Sequence, residues 1–301
     1  MGTVERVDVV KRETAAERGH EPTGDPYSDL PWDGPHTPVV GHALITMVEP
    51  HVGHEHAYNR WYEDSHFFNG ALQQPWMFAG RRWVAPYELQ QLRYPTDSPV
   101  AQPVTNGPYL GTYWVTQGRI DEHKRWTTAA NAYLVSVGDV NRDRTHIYTS
   151  FQDKAGTVYA SDEVPRDVFS LMDPAPGLVL QAVDAPDAES RDALEDWLLD
   201  DYLPGRVTPD SPVSSAMVFQ VQPAHVGMKP EVYAALKHVA NEGRRLTVLW
   251  FLTKDPRDCW DYFTDEVAAV RAGGRGETTL VAPFIPAKMG TTLYEDQLRA
   301  P

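Results

Sequence analysis

The sequence predicts an α+β protein made of two successive strand–helix–strand–strand–helix–strand units. Each would be a ferredoxin-like sandwich, a four-stranded antiparallel sheet with two helices on one face. Two observations carry this expectation. From Gly41 onward, apolar residues alternate between strand and helix spacing in that order. Three segments of the first half also find counterparts in the second, in the same order and at nearly constant separation.

Residues 1–38 are rich in Glu, Arg, Pro and Gly and predict a flexible N-terminal tail. The first unit, 39–153, opens with GHALITMVEP (41–50), a strand, and continues with helical spacing over 55–70. MFAGRRWVA predicts a second strand, and a Pro/Gly/Asn-rich loop over 97–108 leads into YLGTYWVTQG, a third. Residues 120–137 predict a helix with Asp121 in its first turn, and RTHIYTSFQ closes the unit as a strand. Residues 154–176 are read as a linker, and 177–297 as the second unit. There, strands over 177–186, 214–222, 244–255 and 278–285 are interleaved with helices over 191–202 and 257–271. Leu44 and Pro50 match Leu180 and Pro186 at an offset of 136. Asp121 and Trp126 match Asp255 and Trp260 at 134, and Phe151 matches Phe284 at 133. Helices cover one face of each sheet, so the other faces are expected to bury each other.

Composition narrows the partners. Of 301 residues, 27 are Lys or Arg and 42 are Asp or Glu, a formal charge of −15, which argues against nucleic acid and anionic membranes. The 42% apolar content suffices for a core. Cys259 is the single cysteine, so no intrachain disulfide or cysteine-rich metal site is expected. With no apolar run long enough to span a membrane and no secretory leader, the cytoplasm is the expected location.

On a helix, Tyr58, Tyr62, Ser65, His66 and Asn69 share one broad face, with Glu63 three positions before His66. His66 is the candidate general base, with Tyr62 and Asn59 as donors to an oxygen that develops charge. Tyr58 and Asn69 would line the same face. The plainer reading has His66 ending the helix before Gly70. His51, His54 and His56 form an H-x-x-H-x-H run with no fourth ligand at a recognisable spacing, so surface roles are favoured and no metal is expected. His146 and Tyr148 alternate on one face of the last strand. Together with Trp83, Trp114 and one guanidinium of the Arg81–Arg82 pair, taken as Arg82, they would wall a pocket for a flat, apolar ligand. No dinucleotide or phosphate-loop fingerprint is present, and no cofactor is expected.

The element order, the duplication and the run Tyr58-Asn59-Arg60-Trp61-Tyr62-Glu63-Asp64-Ser65-His66 resemble the dimeric α/β-barrel superfamily, and especially its EthD-like branch. The resemblance implies an aromatic pair and a histidine near the end of the first helix, matched by Trp61, Tyr62 and His66. It also implies a barrel formed by two units, here as an intrachain pseudo-dimer, and leaves room for a homodimer of such chains. The second half has Trp197 and Tyr202 but no histidine in the matching run, so the first half is expected to carry the chemistry. The superfamily includes oxygenases, cyclases, isomerases, dehydratases and haem enzymes. The resulting expectation is a cofactor-independent enzyme using acid–base chemistry on an aromatic or polyketide-like small molecule, as a cyclase, dehydratase or isomerase. The alternatives are a cofactor-free monooxygenase of a phenol, a non-catalytic binding barrel, and a haem-binding form with His66 or His146 as axial ligand.

Overall fold

A computed structural model describes residues 1–7, 13, 15–32, 38–173, 175–223 and 238–300. Among these residues nine strands run in chain order: β1 (Thr3–Arg6), β2 (Val40–Pro50), β3 (Met77–Val84), β4 (Tyr109–Thr116), β5 (Arg144–Tyr159), β6 (Gly177–Asp184), β7 (Val213–Val221), β8 (Arg245–Leu252) and β9 (Glu277–Pro286). Their order is β1-β5-β2-β4-β3-β9-β6-β8-β7, and β7 pairs back onto β5. Eight strands therefore close into a barrel with β1 as an outlying strand. The halves contribute β5-β2-β4-β3 and β9-β6-β8-β7, the same ferredoxin-like order twice. Closure removes the free sheet edges that each half alone would expose.

The helices sit outside the barrel. In the first half α1 (Glu55–Trp61) runs on into two π-helical turns, Tyr62–His66 and Phe68–Leu72, and α2 (Ile120–Ser136) follows β4. In the second half α3 (Arg191–Trp197) continues as the π-helical turn Leu198–Tyr202, and α4 (Glu266–Ala272) precedes β9. Each of the eight barrel strands thus has one face toward the lumen and one toward the outside, where the helices lie. Four large rings fill the lumen in two pairs: Trp83 against Phe251, and Trp114 against Phe219, with centroids 6.2 and 5.6 Å apart. Trp83 and Phe219 hold like places on β3 and β7, as Trp114 and Phe251 do on β4 and β8. The internal two-fold therefore exchanges the two contacts. All four rings are buried, so the lumen is a packed core.

The two seams between the halves differ in length. Seven residue pairs join β5 to β7, whereas only Trp83↔Pro286 and Val84↔Ile285 join β3 to β9. The short seam is crossed again by the chain after β9. The backbone of Ala287 donates to Arg82 (3.0 Å) and Gly290 to the Glu63 carboxylate (2.6 Å), while Arg299 bonds Glu55 (2.8 Å) and the Pro50 carbonyl (2.8 Å).

Several expectations need correction. Thr3–Arg6, placed in the flexible tail, pairs with β5 from Thr157 to Tyr159 and at Gly156. Strand β5 runs past residue 153 to Tyr159, because its far end pairs with both β1 and β7. The helix expected over 257–271 is broken into the turns Pro256–Asp258 and Trp260–Tyr262 before α4, with Cys259 in extended φ between them. The sequence matches also slip. Leu44 faces the helical layer but Leu180 faces the lumen, so an offset of 136 cannot superpose β2 on β6. The bulges after Met47 and after Ala182 set the true offset one residue shorter.

Candidate functional site

The sheet divides the residues proposed for one pocket into two groups. Trp83, Trp114 and Tyr148 point into the lumen, where Trp83 Nε1 donates to Thr112 (2.9 Å), Trp114 Nε1 to Ser170 (3.0 Å), and the Tyr148 hydroxyl pairs with Thr247 (2.6 Å). Tyr58, Asn59, Tyr62, His66, Arg82 and His146 lie on the other side, beneath or beside α1. His146 and Tyr148 part company because Ile147 is an extra residue: Met47 pairs with Tyr148 and Val48 with His146. The bulge turns His146 to the helical side, where its Nδ1 bonds Thr149 (2.8 Å). Asn69 is exposed, donates to Ser65 (3.3 Å) and lines no pocket.

Arg82 organises the base of the helical layer. Its buried guanidinium lies 4.0 Å from the Tyr109 ring, 4.5 Å from Tyr62 and 5.5 Å from Tyr58. It donates to Glu63 (2.8 Å) and to the Asn59 carbonyl oxygen. Asn59 in turn donates to Glu295 (2.7 Å) and the Thr291 carbonyl (3.1 Å). Asn59 is thus committed to an internal network, which corrects its assignment as oxyanion donor. Arg82 spends only its Nη1 there, its Nε and Nη2 being buried without a partner, and it faces the helical layer and not the lumen that holds Trp83, Trp114 and Tyr148. Glu63, expected near His66, is turned away onto Arg60 (2.6 Å), Arg82 and Gly290. The Tyr62 hydroxyl is hydrogen-bonded to that of Tyr113, and burial raises both phenols above their ordinary pKa, so both keep their protons.

His66 stacks on Trp61, with centroids 4.3 Å apart and planes 21° apart, and meets Tyr62 edge-on. A π-helical turn, with its i→i+5 bonding, lets residues five apart stack. Gly70 makes room: a Cβ there would lie 2.3 Å from His66 Nδ1. That Nδ1 is buried without a hydrogen-bond partner. Burial first, then the Arg144 charge, lower the imidazole pKa to about 3. Arg144 lies over the same Trp61 ring at 4.3 Å, and its Nη1 is also buried and unpartnered. The nearby carboxylate is that of Asp139, which accepts from Trp61 Nε1 (2.9 Å) and Ser65 (2.5 Å). Sequence reasoning missed Asp139, Arg144 and Tyr109, which follow α1 by 48 or more residues and meet it only through the fold. The Arg144–His146 spacing was the one local hint.

His51, His54 and His56 do not converge. They turn to Thr145 (3.1 Å), Asp143 (3.3 Å) and Glu295 (2.6 Å), and no metal-binding cluster occurs among the described residues. A cavity of about 720 Å³ opens elsewhere, in the second half between Pro209–Pro212 and Thr253–Tyr262, and none of the predicted site residues lines it. No described helix is long and apolar enough to cross a membrane.

No family model and no curated protein matches the sequence. Among solved structures, an anthrone oxidase-like protein is similar over 83% of this chain and 92% of its own, with 9% identity and a TM-score of 0.46. A Rhodococcus jostii DypB variant in complex with haem covers 87% and 96% (10% identity, TM-score 0.47). A putative chlorite dismutase covers 83% and 95% (12% identity, TM-score 0.39). This chain has the dimeric α/β-barrel architecture, complete within one polypeptide. Likeness at this level concerns the course of the backbone.

The expectation of cofactor-independent acid–base chemistry is withdrawn. His66, buried and held near a pKa of 3, is a feeble base at neutral pH. The described histidines do not fit a haem either. One face of the His66 ring is covered by Trp61, and His146 is bonded to Thr149 and Arg144. Buried His123 is bonded to Pro75 and Thr127. None lines the described cavity.

Proposed function

We propose that the chain is an enzyme of the EthD-like branch whose substrate is a small aromatic molecule with an acidic oxygen, such as a phenol. Its binding site is the helical layer of the first half, around Trp61, Tyr62, His66 and Arg144. One observation carries the reading: two buried donor-bearing groups, His66 Nδ1 and Arg144 Nη1, flank a single indole ring and have no partner. Unpaired buried polar atoms cost about 1–3 kcal/mol each, so a pair at one place in a folded chain asks for a ligand. An oxyanion suits both, since Arg144 brings charge and the neutral imidazole, in its Nδ1–H tautomer, brings an N–H. In the second half Tyr202 stands in the place of His66, and its hydroxyl is already committed, donating to Glu266 (2.7 Å). The π-helical turn beneath His66 is a backbone form that recurs at functional sites.

The test is binding of 2-naphthol, followed by quenching of tryptophan fluorescence, in wild type, Arg144→Ala and His66→Ala. Each substitution is expected to weaken binding about tenfold, the equivalent of one charge-assisted hydrogen bond. Equal affinity in all three proteins overturns the assignment.

A further inference from the structure

Strands β5 and β6 are joined by residues 160–176, whose described residues carry one short 3₁₀ turn, Asp167–Phe169. Connections of this length without regular structure are uncommon in compact domains and are usually functional. This one lies across an end of the barrel. Ser170 accepts from Trp114 Nε1 inside the lumen (3.0 Å), and the Asp173 carbonyl accepts from Arg81 (2.7 Å). Asp167 reaches further in, forming an ion pair with Lys154 and accepting from the Thr157 hydroxyl (3.3 Å). The Lys154 side chain is 7% exposed and sits opposite Phe219, next to the Trp114–Phe219 stack. The ammonium therefore stands among aromatic walls, a position that a cation occupies only with a counter-charge. Among the described residues no sheet side chain bonds that ammonium; its carboxylate comes from the connection.

We propose that this connection is a displaceable plug, and that Asp167 stands in for the carboxylate of an aromatic acid that the lumen binds when the plug moves out. Lys154 and Thr157 would hold the ligand's carboxylate, and Trp114 and Phe219 its ring. This site lies on the opposite face of the sheet from His66 and is independent of the phenol-binding reading.

Sodium benzoate is the probe, with binding measured by calorimetry. Asp167→Asn, which keeps the side-chain shape but removes the charge, and Asp167→Ala are both expected to bind benzoate at least tenfold more tightly than wild type. The gain is expected to vanish in Lys154→Met/Asp167→Asn and to survive His66→Ala. In wild type, saturating benzoate is expected to speed amide hydrogen exchange across residues 161–173. Three results overturn the proposal: no gain in either Asp167 variant, a gain equally large with acetate, or exchange in the connection unchanged by benzoate. If Asp167→Ala does not fold, Asp167→Asn and the wild-type exchange experiment decide.

Discussion

His66 lies flat on Trp61, and Tyr202 lies flat on Trp197 in the same way, with centroids 5.0 Å apart and planes 20° apart. Both pairs are five residues apart, both span the start of a π-helical turn, and both are 136 positions from each other. A glycine backs each pair: a Cβ at Gly70 would meet His66, and a Cβ at Gly273 would meet Trp197 at 2.2 Å. The two halves have kept one aromatic device and changed a single ring in it, imidazole for phenol.

Gly70→Ala should therefore act on the site more than on the fold. The methyl group must push the His66 ring off Trp61, and overpacking of this kind costs about 1–3 kcal/mol. The expected result is a cooperative urea transition at modestly lower midpoint, with 2-naphthol binding weakened as in His66→Ala. Unchanged binding would show that the stack does not position His66.

Acid should expose the same residue. The folded chain holds His66 near 3, against 6.5 for a free imidazole, so in that window the unfolded chain binds the extra proton. Stability from this group is complete above pH 6.5 and declines as pH falls toward 3. His66→Phe is expected to flatten the dependence of unfolding free energy on pH between about 4 and 6, by at most one proton. An unaltered slope in urea titrations at several pH values would contradict the lowered pKa.

Breaking the network beneath the site should be far more damaging. Arg82→Ala leaves Glu63 and Asn59 buried beside an empty space, and removing one partner of a buried pair costs about 3–5 kcal/mol. Arg82→Met/Glu63→Leu is expected to recover much of that loss, because both charges leave together. If the double variant is as unstable as the sum of the single ones in equilibrium unfolding, the pair is not coupled.

In the lumen, Trp83→Ala is expected to cost about 3–5 kcal/mol, as for other fully buried large rings. Phe219→Ala, its counterpart under the internal two-fold, should cost a similar amount. Calorimetric melting of both proteins would show whether the two halves share the core evenly.

The duplication was legible because strand and helix periods depend on local burial, which each segment records in its own residues. The faces were less so. Leu44 and Leu180 look alike as letters, yet one meets helices and the other the lumen, because a one-residue slip in a strand reverses every side chain. His66, Tyr62 and Trp61 could be found since one helix turn carries them. Arg144 and Asp139 could not, because a charged residue gives no sign of which distant ring it will cover. The aromatic strand residues were recognised but pooled with His66, as sequence does not tell which face of a sheet a bulge such as Ile147 will present.

The unequal seams give the barrel a direction in which to open. Only two residue pairs hold β3 to β9, and Pro286 in one of them has no N–H to give. The segment after β9 works there as a clasp, its Gly290 and Arg299 contacts bridging what the short ladder leaves apart. A chain that ended at residue 286 would then be a book bound by seven pairs along β5 and β7, its opposite edge held only by two strand pairs and the ties of Tyr94 to Val281 and Ser98 to Thr279.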